Sequence, residues 1–322
     1  RLCRDWSSDV CSSDLEFKDL SDKPVTETAN DGWIAVVEHY FAAAIIPAAG
    51  AGNQYYSRPL GDERFVTGSV MPQKSVASGA SAAFDGRLYV GPKLQSKLAA
   101  VAKGLELTVD YGKLTIIAQP IFWVLEHIEQ LIGNWGWSIL ILTVLFKALT
   151  YKLNEISGRS MAKMRQVQPR IKALQERYAD DRQRLSQGMM ELYKKEKINP
   201  ASGCFPIVIQ IPIFFALYYV LVYSVELRQA PWTLWIKDLS APDPIYVLPV
   251  LYGIAMFIQQ HLQPQPADKL QARMMKIMPV ALIVLYMVLP AGLVLYYFAN
   301  SIISIIQQRY INNLIEKESK KN

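Results

Sequence analysis

The sequence predicts an all-α polytopic membrane protein. Five transmembrane helices carry a helical hairpin on one side, and an amphipathic interfacial helix and the remnant of a β-rich soluble domain precede them. Three observations predict this. The 322 residues are 51% hydrophobic, with a mean hydropathy of +0.12 and a net charge of +6, too apolar for an ordinary enzyme and too polar for a chain buried wholly in lipid. Apolar runs of spanning character begin only after residue 134. Between the first and second of them, residues 152 to 197 hold twelve Lys or Arg against six Asp or Glu, so this one segment carries 12 − 6 = +6, the charge of the whole chain.

The chain opens on Arg1, with no charged stretch leading into an apolar core, and is expected to be a fragment lacking its targeting segment. Residues 1–15, RLCRDWSSDVCSSDL, hold the near-repeat SSDV and SSDL and follow neither helix nor strand period. They read as a non-native leader resembling translated adapter sequence, or as a disordered linker. Cys3 and Cys11 lie in it and carry no disulfide or metal inference, while Cys204 lies in an apolar segment where a lone thiol packs.

Residues 16–110 are soluble in character, with Gly, Ser and Ala-rich stretches between short alternating runs. GRLYVGP is expected as a strand. LELTVD is too, with Leu105, Leu107 and Val109 on one face. Residues 111–133 then place Ile121, Val124, Leu125, Ile128, Leu131 and Ile132 on one helical face and Glu126, Glu129 and Gln130 on the other. With Trp123, Trp135 and Trp137 near its ends, this helix suits either a membrane interface or the core of the soluble domain; its place directly before a spanning run favours the interface.

The helical core is expected over residues 134–313. Its spans run from Trp135 to Leu153, Phe205 to Leu227, Ile245 to Leu262, Met274 to Leu289 and Ala291 to Ile311. Only the first two comfortably reach the ~20 residues that a ~30 Å hydrocarbon core requires. Pro290, Ala291 and Gly292 form a breaker cluster that permits a tight hairpin between the last two. Such short helices recruit their flanks or thin the bilayer.

Charge placement orients the chain. By the positive-inside rule the basic segment is cytoplasmic. The soluble region and the segment from Arg228 to Asp243 then face outward, and the QPQPAD connection and the tail, residues 314–322, face inward. Within the basic segment, residues 155–198 are expected as a helical hairpin. Met161, Met164, Val167, Ile171, Leu174 and Tyr178 recur at spacings of three and four, as do Leu185, Met189 and Leu192 beyond a break at Ala179, Asp180 and Asp181, where Asp181 is placed to cap the second helix. This methionine-rich seam suits two self-packed amphipathic helices, or a docking surface for apolar nascent segments and acidic partners.

Polar residues inside the spans point to one shared interior. Thr143 and Lys147 lie four apart on one face of the first span. Gln210 sits in the second between Pro206 and Pro212, prolines that free backbone carbonyls. The last span carries Tyr296, Tyr297, Asn300, Ser301 and Ser304. Lys147 lies about 18 Å along its helix from Trp135 at ~1.5 Å per residue, with no acid in its own span. It is either a snorkelling anchor or the positive charge of a water-filled cavity open to the cytoplasm.

An enzyme is disfavoured. His39, His127 and His261 are far apart and match no metal spacing, and no GxSxG, HExxH or phosphate-cradling glycine loop occurs. No catalytic residue, cofactor or metal is expected. A solute transporter or channel using Lys147 as a coupling charge is the alternative, although no internal repeat supports it.

Two long stretches carry a family resemblance. The first runs MAKMRQVQPRIKALQERYADDRQRLSQGMMELYKKEKINPASGCFPIVIQIPIFFALYYVL, and the second comprises SVELRQAPWTLWIKDLSAPDP and PAGLVLYYFANSIISIIQQ. They resemble the YidC-type membrane protein insertases of bacterial inner membranes, over about residues 86–313, most specifically at NPASGCFPIVIQIPIF. The resemblance implies a five-transmembrane-helix insertase core with a cytoplasmic helical hairpin, preceded by a further first span and a large periplasmic β-sandwich, which are absent or truncated here. It implies an insertase and folding chaperone acting on nascent membrane-protein clients, alone or beside the Sec translocon, with the soluble region periplasmic and the C-terminus cytoplasmic. The lipid bilayer is implied as a partner, and a ribosome or targeting receptor meeting the hairpin is a further expectation; direct sequence-specific binding of nucleic acid is not expected. Lys147 stands where the family usually has arginine, keeping the charge and losing the rigid guanidinium fork. The family's hydrophilic groove falls on Lys147, Thr143, Gln210 and Tyr297, and its apolar slide on Ile211, Phe214 and Leu293.

Overall fold

Alternating apolar and polar residues build the first part of the chain into two antiparallel sheets. The computed structural model describes residues 2–5, 13–15, 24–50, 52–61, 64–178, 181–196, 205–262 and 269–319. By its internal contacts the chain divides into two units, Arg1–Gly112 with Tyr223–Glu226, and Lys113–Val222 with Leu227–Asn322.

In the first unit the strands are β1 (Leu2–Asp5), β2 (Ser13–Leu15), β3 (Val25–Ala29), β4 (Trp33–Val37), β5 (Phe41–Pro47), β6 (Asn53–Gly61), β7 (Arg64–Val70) and β8 (Gly86–Pro92). One sheet has the order β2-β1-β4-β5-β8 and the other β3-β6-β7. Ile34 of β4 and Tyr55 of β6 meet between them, with Val25, Ala29, Ile45 and Phe65 packed around. The Tyr55 hydroxyl donates to the Gly32 carbonyl at 2.9 Å, so the buried phenol is satisfied.

GRLYVGP forms β8 as its alternation predicts. LELTVD does not form a strand. Leu105–Thr108 is a 3₁₀ turn whose buried residues, Leu105 and Thr108, stand three apart rather than two. It starts at Gly104, whose φ of 80° opens a turn, and the Thr108 hydroxyl closes on the Leu105 carbonyl. The opening residues also differ from expectation. Leu2–Asp5 pairs with β4 and Ser13–Leu15 with β2's partner β1, although their sequence shows no strand period; backbone pairing at a sheet margin does not require alternating side chains. Cys11, Cys204, the break at Ala179 and Asp180, and the QPQPAD connection lie outside the described residues.

A short helix α1 (Gln95–Val101) follows the sheets. Its first free N–H, of Gln95, donates to Glu226, and the Gln95 amide donates to Tyr111, whose hydroxyl lies 2.9 Å from Ser224.

The second unit holds α2 (Thr115–Ile132), α3 (Trp135–Leu149), α4 (Tyr151–Arg177), α5 (Arg182–Lys195), α6 (Phe205–Tyr223), α7 (Val247–His261), α8 (Lys269–Tyr286) and α9 (Ala291–Ser319). Helix α2 buries Ala118, Ile121, Phe122 and Leu125 and packs on α3. Leu131 and Ile132, expected on that face, are 88% and 43% exposed. Asn134 caps α3, accepting from the Gly136 and Trp137 N–H groups. Helix α3 stops at Thr150, whose hydroxyl turns back to Phe146, and the chain bends by 65° into α4. Helices α8 and α9, joined at the Pro290 breaker, both find their main partner in α7, and α9 also packs on α3 and α4.

In α4 and α5 the expected seam is present. Val167 and Ile171 are buried against Met164, Leu192 and Tyr193. Asp181 caps α5 by accepting from Gln183 and Arg184. Arg165 donates to the carbonyls of His261 and Leu262, satisfying orphan groups at the end of α7.

Among the described residues no single helix is long and apolar enough to cross a membrane. Helices α3 and α4 meet that test together across their bend, and Val208–Tyr223 and Val247–His261 are shorter apolar helices.

Candidate functional site

The second unit is closed at one end by the segment after α6. Leu239 and Ala241 accept from the Gly292 and Ala291 N–H groups at the start of α9, at 2.9 and 2.8 Å. Asp243, 1% exposed, accepts from the Trp235 indole and from the Ile245 and Leu248 N–H groups, fixing the start of α7. Asn134, at the start of α3, donates to the carbonyls of Pro231 and Trp232. One loop therefore holds the cap of α3 and accepts from the first N–H groups of α7 and α9.

Away from that end the polar side chains converge. Lys147, in the last turn of α3, sends its ammonium across to α9, where Nζ donates to Ser304 Oγ at 2.8 Å. Ser304 in turn donates to the Asn300 carbonyl at 2.7 Å. On α6, Gln210 donates to the Tyr296 hydroxyl at 3.1 Å. Between them lies a cavity of about 40 Å³, with Lys147, Thr150, Asn154, Gln210, Tyr296 and Asn300 in its lining and Ile209 and Ile213 as its apolar wall. This is large enough and polar enough to hold water. Among the described residues Lys147 has no carboxylate partner.

Of the four residues expected in the groove, the structure brings Lys147 and Gln210 to the cavity. Thr143 is fully buried one turn before Lys147, with its hydroxyl donated to Ile139 of its own helix at 2.7 Å. Tyr297 is 8% exposed and serves as the hub of a ring cluster, 5.5 Å from Phe214, 6.1 Å from Tyr252 and 5.6 Å from Tyr286. Neither lines the cavity. Tyr296 and Asn300 line it instead, with Ser304 one turn further on receiving Lys147, and the spacing of four that puts these three on one face of α9 is visible in the sequence.

The expected slide residues separate as well. Ile211 is 51% exposed on α6, and Phe214 is half-buried against Tyr297. Leu293 is fully buried. It lies in the first turn of α9, where Gly292 lets Leu221, Ile139 and the Leu239 carbonyl approach so closely that a Cβ would stand 3.0 to 3.2 Å from them. A residue in that clamped turn presents no surface. Among the described residues, the exposed aliphatic and phenyl side chains on these helices are Val208, Ile211 and Phe215 of α6 and Ile302 and Ile306 of α9.

Comparison with known proteins agrees with both units. Residues 127–319 match the family described as 60Kd inner membrane protein, and residues 6–124 match the one described as YidC periplasmic domain. The chain is 51% identical over 304 residues to the membrane protein insertase YidC of Nitrosococcus oceani, covering 94% of this chain and 56% of that protein. It is 52% identical over 307 residues to the one of Methylobacillus flagellatus, covering 95% and 56%. The chain thus spans about half the length of the curated relatives it matches. In fold it is similar to an active YidC insertase crystal structure with the first transmembrane domain resolved, with a TM-score of 0.56 at 20% identity over 88% of this chain and 78% of that one.

Proposed function

The chain belongs to the YidC membrane protein insertase family, and from that premise we propose that it moves client transmembrane segments from the cytoplasm into the inner membrane through the cavity at Lys147. The observation that carries this reading is the Lys147 ammonium, directed into the helical unit and bonded to the neutral Ser304 hydroxyl. A cation so placed attracts the acidic N-terminal segment of a client.

In this reading α3, α6, α7, α8 and the first part of α9 are the five spans. Helix α7 has 15 residues and rises only ~22 Å at ~1.5 Å per residue, short of a ~30 Å hydrocarbon core. The bilayer thins around such helices, and water in the cavity shortens the low-dielectric path further. The α4 and α5 hairpin, by the charge of its segment, is cytoplasmic, the β unit periplasmic, and the closed end lies toward the periplasm. The client's polar segment is held briefly at Lys147 while its apolar helix slides out along Ile211 and Phe215 of α6 and Ile302 and Ile306 of α9. Side-chain contacts, Gln210 on Tyr296 and Phe214 on Tyr297, join these two helices, and side chains repack more readily than backbones that interlock. Burial of the client's helix in lipid, at about 25 cal/mol per Å² of apolar surface, drives release. No covalent chemistry and no cofactor are needed. Action beside the Sec translocon and recruitment of ribosomes or targeting receptors by the basic hairpin belong to the same proposal.

The test is protease protection of a small single-span client with an acidic N-terminus, added to proteoliposomes holding this chain or its Lys147→Glu variant. Protection by the native chain and its loss in the variant is the expected result. Equal protection by both demotes Lys147 to an interfacial anchor, and protection no better than empty liposomes removes the insertase reading for this chain.

A further inference from the structure

We propose that Ser304 is the positioning residue of the groove charge: it holds the Lys147 ammonium on the α9 wall and thereby sets how strongly an acidic client segment is preferred over a neutral one. The functional half of this rests on the insertase reading above. The positional half rests on geometry alone.

A lysine ammonium is a compact point charge on a flexible four-carbon stem. In the last turn of α3 that stem is free to follow its own helix outward to the interface, as such side chains ordinarily do. Instead it crosses to α9 and donates to Ser304 at 2.8 Å. The serine is oriented to receive it. Its single hydroxyl proton is donated to the Asn300 carbonyl at 2.7 Å, so toward Lys147 it offers a lone pair. Gln210, in the same cavity, is engaged with Tyr296 at 3.1 Å.

The choice of a neutral acceptor has a consequence. A carboxylate at position 304 would fix the ammonium and cancel its charge. A hydroxyl fixes it, leaves the charge uncompensated and leaves two N–H donors free. An arriving client carboxylate then meets the ammonium as an ion pair, whereas a client amide accepts a hydrogen bond from it without the attraction between two full charges. Selection between the two requires the ammonium to be in the cavity when the client arrives, and the contact that keeps it there is Ser304.

Two readouts on the full chain in liposomes decide the matter. The first is labelling of Lys147 by an impermeant amine reagent, read on its own peptide by mass spectrometry, with Lys152, whose side chain is 90% exposed, as the internal reference. Ser304→Ala should raise Lys147 labelling by about tenfold or more, the value of one hydrogen bond to a charged group, and Ser304→Thr, which keeps the hydroxyl, should bring it back to the parent level. The second is the insertion ratio of two single-span clients that differ only by Asp or Asn in the N-terminal segment. That ratio should fall toward unity in Ser304→Ala and recover in Ser304→Thr, with the Asn client unchanged.

Labelling unmoved by Ser304→Ala overturns the positional half whatever insertion does. Raised labelling with an unmoved ratio, or an equal loss for both clients, overturns the role in selection. A wild-type chain that inserts neither client sinks the insertase reading and the selective role with it, and the labelling result then still decides whether Ser304 holds the charge.

Discussion

Gly136 and Trp232 approach so closely that a Cβ on the glycine would stand 2.2 Å from the indole Cδ1 and 2.5 Å from the tryptophan Cβ. The glycine is in the first turn of α3, and Asn134, its cap, donates to the Pro231 and Trp232 carbonyls. Helix start and loop are therefore one interlocked piece, and the closed end of the helical unit depends on the absence of a single methyl group.

Gly136→Ala should lower stability by about 1 to 3 kcal/mol, the usual cost of overpacking a filled site. Thermal unfolding of the detergent-solubilised chain measures it. In a Trp232→Gly background the same substitution should cost much less, because both the clashing ring and the Cβ that carries it are gone. Strictly additive losses would disprove direct contact as the cause.

Asp243→Ala removes the acceptor shared by the Trp235 indole and the Ile245 and Leu248 N–H groups. Leaving buried donors unpaired should cost upward of about 2 kcal/mol, and Asp243→Asn, which keeps one oxygen, should cost less. An Ala variant as stable as the parent in the same unfolding assay would show that water takes over the three bonds.

In the β unit, burial raises the Tyr55 phenol from its ordinary 10.0 to about 12. The folded state therefore holds this proton more tightly than the unfolded chain does. Its contribution is complete below pH ~10 and is lost as pH rises from ~10 to ~12. Tyr55→Phe should cost about 1 kcal/mol at neutral pH through the lost bond to Gly32, and should flatten the decline in stability over that alkaline window. A decline of equal steepness in the variant would assign it to other groups.

Val167→Asp places a carboxylate in the seam formed by Val167, Ile171, Met164, Leu192 and Tyr193. The hairpin should open, at a cost on the order of 3 kcal/mol, and limited proteolysis within residues 161–196 should accelerate while cleavage of the β unit keeps its rate. Unchanged cleavage would mean that the two helices do not depend on that seam.

Much of this was legible in the chain itself. The spacings of three and four in Met161 to Tyr178 specify the face that α4 buries, because side chains at that spacing share one side of a helix whatever else is present. Asp181 declares a cap, since a short acidic side chain just before a helical run reaches its free N–H groups. The alternation in GRLYVGP likewise describes β8. LELTVD shows where such reading fails: its alternation is compatible with a strand, but Gly104 turns the chain and a 3₁₀ turn buries Leu105 and Thr108 instead.

The sequence by itself determined which residues are apolar, which segments form helices, and that Lys147 and Gln210 stand in apolar runs as candidates for one polar interior, with Lys147 equally open to an interfacial anchor, because these depend on composition and period along one segment. Only the tertiary structure decided which of the other polar side chains they meet there. Tyr296 and Tyr297 are adjacent and chemically identical, yet the rotation of α9 against α6 and α7 directs the first to the cavity and the second into the ring cluster. Leu293 is as apolar as Ile306, and the loop clamped over the first turn of α9 buries one while the other stays exposed. Crossing geometry and loop closure are properties of several segments at once, and no single segment encodes them.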